Sequence, residues 1–341
     1  MARQLEITQP FDLKLSLTMG QAFRWSELPP DFYGDGHRWF SGAIGENLVH
    51  IRQADVGVEY RVGGPYGERE ATAADDELLR RCFRLDDDID AIYADIARDP
   101  KMDTIMREFP GLRLLRQDPW ECLLSQLCAQ KPDAAPIGET IEHAAKFMGS
   151  ELQLEANVRY AFPTPDQLLS DHGLAHVVWK WLLGSEPAWS IIKITKLAED
   201  SEMNWSELRR LPYEEVKQNL RLFPGVSDET ANRISLFALD KLEAFPVDYW
   251  VWRAIIEAYP EWGFPEKSEP TDHERHKVAE RARQEFGEYA GYANQYLFYW
   301  RRQHGEEPLS FAHRWHGKFR LLPGMTVDDV RYEYLSRKYL S

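Results

Sequence analysis

Cysteine is scarce in this chain. Cys82, Cys122 and Cys128 are the only three in 341 residues, one short of a four-thiolate iron–sulfur site and too few to suggest a disulfide-stapled secreted scaffold. Positive charge is also in deficit: 41 Lys and Arg stand against 56 Asp and Glu, a formal net charge of −15. Such a balance repels a polyphosphate at long range, so any nucleic-acid partner must be held by local contacts. Nothing approaches the roughly 20 apolar residues that span a bilayer. The opening Met1-Ala2-Arg3-Gln4-Leu5-Glu6 lacks the apolar core of a signal peptide. A cytoplasmic protein with no membrane partner is expected. The histidines lack ligand spacing, so neither a metal nor a cofactor is expected.

What remains is a globular composition, 43% hydrophobic, and a length sufficient for one large or two ordinary domains. From Leu5 to about Gly64 the pattern is short and alternating, as in Phe11-Asp12-Leu13-Lys14-Leu15-Ser16-Leu17 and Leu48-Val49-His50-Ile51-Arg52. It predicts antiparallel strands. Between Asp75 and Ala97 the period becomes helical, through Leu78, Leu79, Cys82, Phe83 and then Ile89, Ile92, Tyr93 and Ile96. From Lys101 onward helices dominate. Asp118-Pro119-Trp120-Glu121 offers an N-cap, a first-turn proline and an acidic residue three past the cap, and the helix it opens would bury Cys122, Leu123, Leu124 and Leu127. Further helices are expected at 139–147, 165–169, 191–198, 213–220, 229–239, 249–258 and 273–286. The fold class is therefore α+β: an antiparallel sheet domain at 1–100, an all-helical domain at 101–305 and an appendage at 306–341. Candidate cationic contacts are Lys131, Lys180, Arg233 and the tail run Arg314-Trp315-His316-Gly317-Lys318-Phe319-Arg320, where aromatics interleave with bases.

Two segments carry chemistry. Leu222-Phe223-Pro224-Gly225-Val226-Ser227-Asp228-Glu229-Thr230-Ala231-Asn232 reads as a tight turn between helices, and Phe245-Pro246-Val247-Asp248 places a carboxylate just beyond it. Together with Gly20-Gln21-Ala22-Phe23-Arg24-Trp25, the stretch from Arg113 to Leu123 and Tyr289-Ala290-Gly291-Tyr292-Ala293, they resemble, in order, segments of the 8-oxoguanine DNA glycosylases of the helix-hairpin-helix superfamily. The resemblance runs from about residue 11 to about residue 301. It implies a monomer acting on double-stranded DNA that contains a damaged base, which must be swung out of the stack into a pocket.

The resemblance also assigns roles. Pro224, Gly225, Val226 and Ser227 would grip a phosphate through backbone N–H groups at a helix start, although the family's second hairpin glycine is Ser227 here. Asp248 would stabilise the oxocarbenium-like sugar and position or deprotonate water; it also stands where an N-cap for the helix from Tyr249 belongs. Glu229 occupies the position of the family's nucleophilic lysine, and a carboxylate cannot form a Schiff base. Hydrolysis without strand cleavage is expected, with Glu229 either sharing acid and base work with Asp248 or serving as an ordinary first-turn residue. Gly20 corresponds to the carbonyl that accepts the oxidised base's N7–H, Phe298 to the stacking aromatic and Asn294 to the reader of the Watson–Crick edge. Arg233 and Trp250 replace a cysteine and a histidine of the pocket, and Trp189 is the plausible wedge. Lys131, Pro132, Asp133 and Pro136 fall where opposite-base contacts belong. These departures keep two rivals open: a glycosylase for alkylated or other damaged purines, and a catalytically silent binder of damaged DNA.

Overall fold

The computed structural model describes residues 2–129, 137–199, 204–267 and 269–305. Residues Met1–Arg301 form one compact unit and Arg302–Ser341 a second. The tail and Lys131 lie outside the described residues, apart from 302–305.

The first unit combines an antiparallel sheet with packed helices. Its strands are β1 (Arg3–Leu5), β2 (Trp25–Glu27), β3 (Phe40–Ile44), β4 (Asn47–Gln53), β5 (Val58–Gly64), β6 (Gly67–Arg69), β7 (Glu151–Leu154) and β8 (Asn157–Tyr160). The order β2-β3-β4-β5-β7-β8 is antiparallel throughout, with β1 and β6 also paired to β5. The register Phe40↔Ile51 and Ile51↔Tyr60 sets large apolar side chains opposite one another, the unit of sheet cohesion. The sheet is not confined to residues 1–100, because the β7–β8 hairpin joins it from within the helical half at Gly64↔Gln153.

The helices are α1 (Leu13–Thr18), α2 (Ala73–Cys82), α3 (Ile89–Ile96), α4 (Pro100–Glu108), α5 (Pro119–Cys128), α6 (Ile137–Met148), α7 (Pro165–Ser170), α8 (His172–Leu183), α9 (Ser185–Glu199), α10 (Trp205–Arg210), α11 (Tyr213–Leu220), α12 (Asp228–Ala238), α13 (Tyr249–Ala258), α14 (Asp272–Phe286) and α15 (Ala290–His304). Among the described residues no helix is long and apolar enough to cross a membrane.

The segment 11–17, read as a strand, is the helix α1. Asp12 caps it by accepting the Leu15 N–H at 2.7 Å. Its alternation arises because two i,i+4 pairs serve two cores. Leu13 and Leu17 pack with the sheet residues Val49, Ile51 and Tyr60, whereas Leu15 and Met19 join the helical core. α5 matches expectation: Asp118 accepts the Glu121 N–H at 2.9 Å, and Cys122, Leu123, Leu124 and Leu127 are buried.

The 113–117 stretch stitches the two layers together. Arg113 is fully buried and donates to the Arg84 carbonyl at 3.0 Å and to Gln9 Oε1 at 2.7 Å. Gln21 donates to the Arg113 carbonyl at 2.8 Å and accepts from the Leu115 N–H at 2.9 Å. Gln117 N–H then reaches the Phe237 carbonyl of α12 at 2.8 Å. At the other end Gly291 lets α15 approach the loop before Asp248. Its N–H donates to the Leu242 carbonyl at 2.7 Å, and a Cβ there would stand 2.8 Å from that oxygen and 2.2 Å from Leu236 Cδ1. Gly291→Ala is accordingly expected to cost about 1–3 kcal/mol, as overpacking does, visible as a lowered urea midpoint; an unchanged midpoint would contradict this packing.

Candidate active site

α11 and α12 form the expected hairpin. Gly225 adopts a φ of +82°, a left-handed conformation that glycine takes without steric cost. Val226 is buried beneath the turn, and Ser227 caps α12 by accepting the Thr230 N–H at 3.2 Å. Serine at position 227 thus performs a capping task. Leu222 is 78% exposed at the tip. The first turn carries Asp228, whose charge is offset by Lys217 at 3.3 Å and Arg221 at 3.8 Å. A Cβ on Gly225 would meet Ser190 Oγ at 3.5 Å, so the start of α9 lies against the turn. Next to Ser190, Trp189 is 54% exposed, with its ring 4.4 Å from that of His176.

Asp248 caps α13, accepting the Val251 N–H on Oδ1 at 2.9 Å. Its Oδ2 faces Arg233 Nη2 at 3.3 Å, and the side chain keeps 20% exposure. The same Nη2 lies 2.8 Å from Glu229 Oε1, and Glu229 Oε2 lies 3.7 Å from Arg275 Nη1. Signs therefore alternate along the chain Asp248, Arg233, Glu229, Arg275. Burial works against the Arg233 charge, but the two carboxylates outweigh it and hold its pKa above the ordinary value.

The loop carrying Asp248 is gripped at three successive residues. Asn294 Nδ2 donates to the Pro246 carbonyl at 2.7 Å, Arg275 Nη1 to the Val247 carbonyl at 2.6 Å, and Arg233 to the Asp248 side chain. These contacts come from α15, α14 and α12. Asn294, which the resemblance assigns to a base edge, is 2% exposed and commits its amide to this loop instead. Phe298 packs half-buried against the helical core, and Trp250 sits edge-on to Tyr249 at 5.4 Å. Gly20, with a φ of +91°, makes the turn after α1. The structure thus joins Asp248, Glu229 and Arg233 directly. Sequence reading missed Arg275, whose contact with Val247 spans 28 residues and leaves no local pattern. A cavity of about 400 Å³ adjoins this group, lined in part by Glu229, Arg275, Ser227, Asp272 and His276.

A second ionic cluster lies where Gly20–Trp25 meets α5. Arg24, almost fully buried, donates to Glu142 Oε1 at 2.7 Å and stands 3.7 Å from Glu121 Oε2. Arg159 shares Glu142. Burial pushes the Glu121 carboxyl up to about 7, against the pull of Arg24. A carboxyl whose folded pKa is raised contributes stability below its unfolded pKa and loses it as pH rises toward the folded value. The wild type should therefore lose thermal stability between pH 5 and pH 8 more steeply than Glu121→Gln; parallel melting profiles would refute this. Cys122 is buried, and burial raises its thiol pKa, consistent with a core role. Among the described residues no cluster could hold a metal ion.

A mixed α+β body, a helix-hairpin-helix turn and an aspartate capping the helix that follows define a protein of the helix-hairpin-helix DNA glycosylase superfamily. Residues 4–123 match the model of the 8-oxoguanine DNA glycosylase N-terminal domain. The N-glycosylase/DNA lyase of Arabidopsis thaliana is 30% identical over 297 residues, covering 84% of this chain and 76% of that protein. The 8-oxoguanine glycosylase/lyase of Clostridium acetobutylicum, solved with duplex DNA containing cytosine opposite 8-oxoguanine, superposes with a TM-score of 0.73. It is 25% identical and covers 89% of this chain and 98% of its own. The 3-methyladenine DNA glycosylase of Archaeoglobus fulgidus shares the fold at a TM-score of 0.65 and 19% identity, covering 89% of this chain and 98% of its own. The chain belongs to the 8-oxoguanine DNA glycosylase family.

Proposed function

We propose that this protein flips an oxidised purine of the 8-oxoguanine type from duplex DNA and hydrolyses its N-glycosidic bond, leaving an abasic site without Schiff-base strand cleavage. The observation that carries the reading is Asp248: a partly exposed carboxylate fixed by the Val251 amide and Arg233, in a loop one helix beyond the hairpin. As the base departs with the bonding electrons, the sugar gains positive charge that a fixed carboxylate stabilises. Water attacks the anomeric carbon and yields its proton to a base, for which Asp248 is the candidate. The hairpin at Pro224 to Ser227 holds a phosphate, and Trp189, exposed beside it, is the candidate wedge. Gly20 and Phe298 remain the candidates for the base itself. The absence of lyase chemistry follows from Glu229, which offers no amine.

Single-turnover assays on duplexes bearing 8-oxoguanine, hypoxanthine or 3-methyladenine test the reading. Release of 8-oxoguanine, with no borohydride-trapped complex, is expected. Preferential release of 3-methyladenine would move the substrate to alkylated purines, and binding without any release would make the protein a silent reader of damage.

A further inference from the structure

The family resemblance puts a cation at position 229 and a small thiol at 233; this chain puts a carboxylate at 229 and a guanidinium at 233. On a helix these positions are one turn apart, and here they touch at 2.8 Å. The positive charge of α12 has been moved one turn onward, where it meets Asp248 Oδ2 at 3.3 Å. An arginine is never a useful proton donor or nucleophile near neutrality, but its planar fork can fix a carboxylate while a second acid fixes the fork. Resting on the glycosylase reading above, we propose that Arg233 is a positioning residue for the reaction, anchored by Glu229, that holds the Asp248 carboxylate in its working orientation.

Geometry supports this over a purely architectural role. Asp248 already has a structural partner in the Val251 amide on Oδ1, so α13 does not need Arg233 for its cap. Arg233 engages the other oxygen. Among the described residues, the charged and titratable groups around it are Glu229 on its own helix, Asp248 before α13, Arg275 from α14 by way of Glu229, and Cys122 of α5. Only Arg233 among them pairs directly with the Asp248 carboxylate.

The test is the plateau rate of single-turnover base release by wild type, Arg233→Met, Arg233→Lys and Asp248→Asn, with DNA affinity measured alongside. Arg233→Met should slow the plateau on the order of a hundredfold through misplacement, with affinity nearly unchanged. Arg233→Lys, which restores a cation beside Asp248 Oδ2, should recover much of the lost rate. A plateau rate in Arg233→Met that coincides with wild type, or a rate loss matched by an equal loss of DNA affinity, would overturn the proposal. Should Arg233→Met not fold, Arg233→Gln gives the same comparison. A different failure marks the underlying reading: if Asp248→Asn releases base as fast as wild type, Asp248 is not the catalytic group.

Discussion

Asp248→Asn is expected to lower single-turnover base release on the order of a thousandfold, within the range for loss of a positioned acid–base group, while leaving the fold and DNA affinity intact. Asparagine caps helices about as well as aspartate, so its side-chain oxygen can still accept the Val251 N–H that Asp248 now accepts at 2.9 Å. The amide nitrogen then replaces Oδ2, so the pairing with Arg233 is lost together with the charge. What disappears is the negative charge, and with it the stabilisation of a cationic sugar and a base for water. The substitution therefore isolates electrostatics from architecture. A loss of less than tenfold, with melting temperature unchanged, would mean that the charge stabilising the transition state lies elsewhere.

Glu229→Lys should produce the second large effect, a gain. In the wild type no borohydride-trapped complex with lesion DNA is expected; in the variant such a complex, together with strand cleavage, should appear. Position 229 lies in the first turn of α12, and its side chain pairs with Arg233, which in turn faces Asp248. A lysine there would stand one turn from a guanidinium, an unfavourable like-charge pair. That neighbour lowers the amine's pKa and enlarges the unprotonated, nucleophilic fraction. Some stability should be lost, since the Glu229 contacts with Arg233 and Arg275 are broken. If base is released but no trapping occurs between pH 7 and 9, position 229 does not face the sugar, and the register of this helix against the substrate is other than the resemblance implies.

Much of this architecture was legible in the sequence, and the misses have physical causes. The cap at Asp118 and the helices from Tyr213 and Tyr249 were readable because their signals are local: a capping side chain, a first-turn proline or an apolar stripe. α1 was misread because two cores demanded apolar residues from opposite sides of a six-residue helix, which mimics the alternation of a strand. The β7–β8 hairpin escaped notice because it is short and lies within helical sequence. At the site, Asp248 and the Gly225 turn stood out because their chemistry is concentrated in few residues. The roles of Arg275 and Asn294 did not, since each is defined by a carbonyl in a loop far away in sequence. Arg233 could be named, but only the coordinates join it to both carboxylates.

The triple hold on residues 246 to 248 bears on how such a protein can change over evolutionary time. Because Pro246 and Val247 are secured from α15 and α14, the place of the aspartate does not depend wholly on α12. Residues on that helix other than Arg233 are thereby freer to be replaced while the carboxylate stays put. Conversely, a substitution at Asn294, 48 residues beyond Pro246, would release one of the three holds on the loop that carries Asp248.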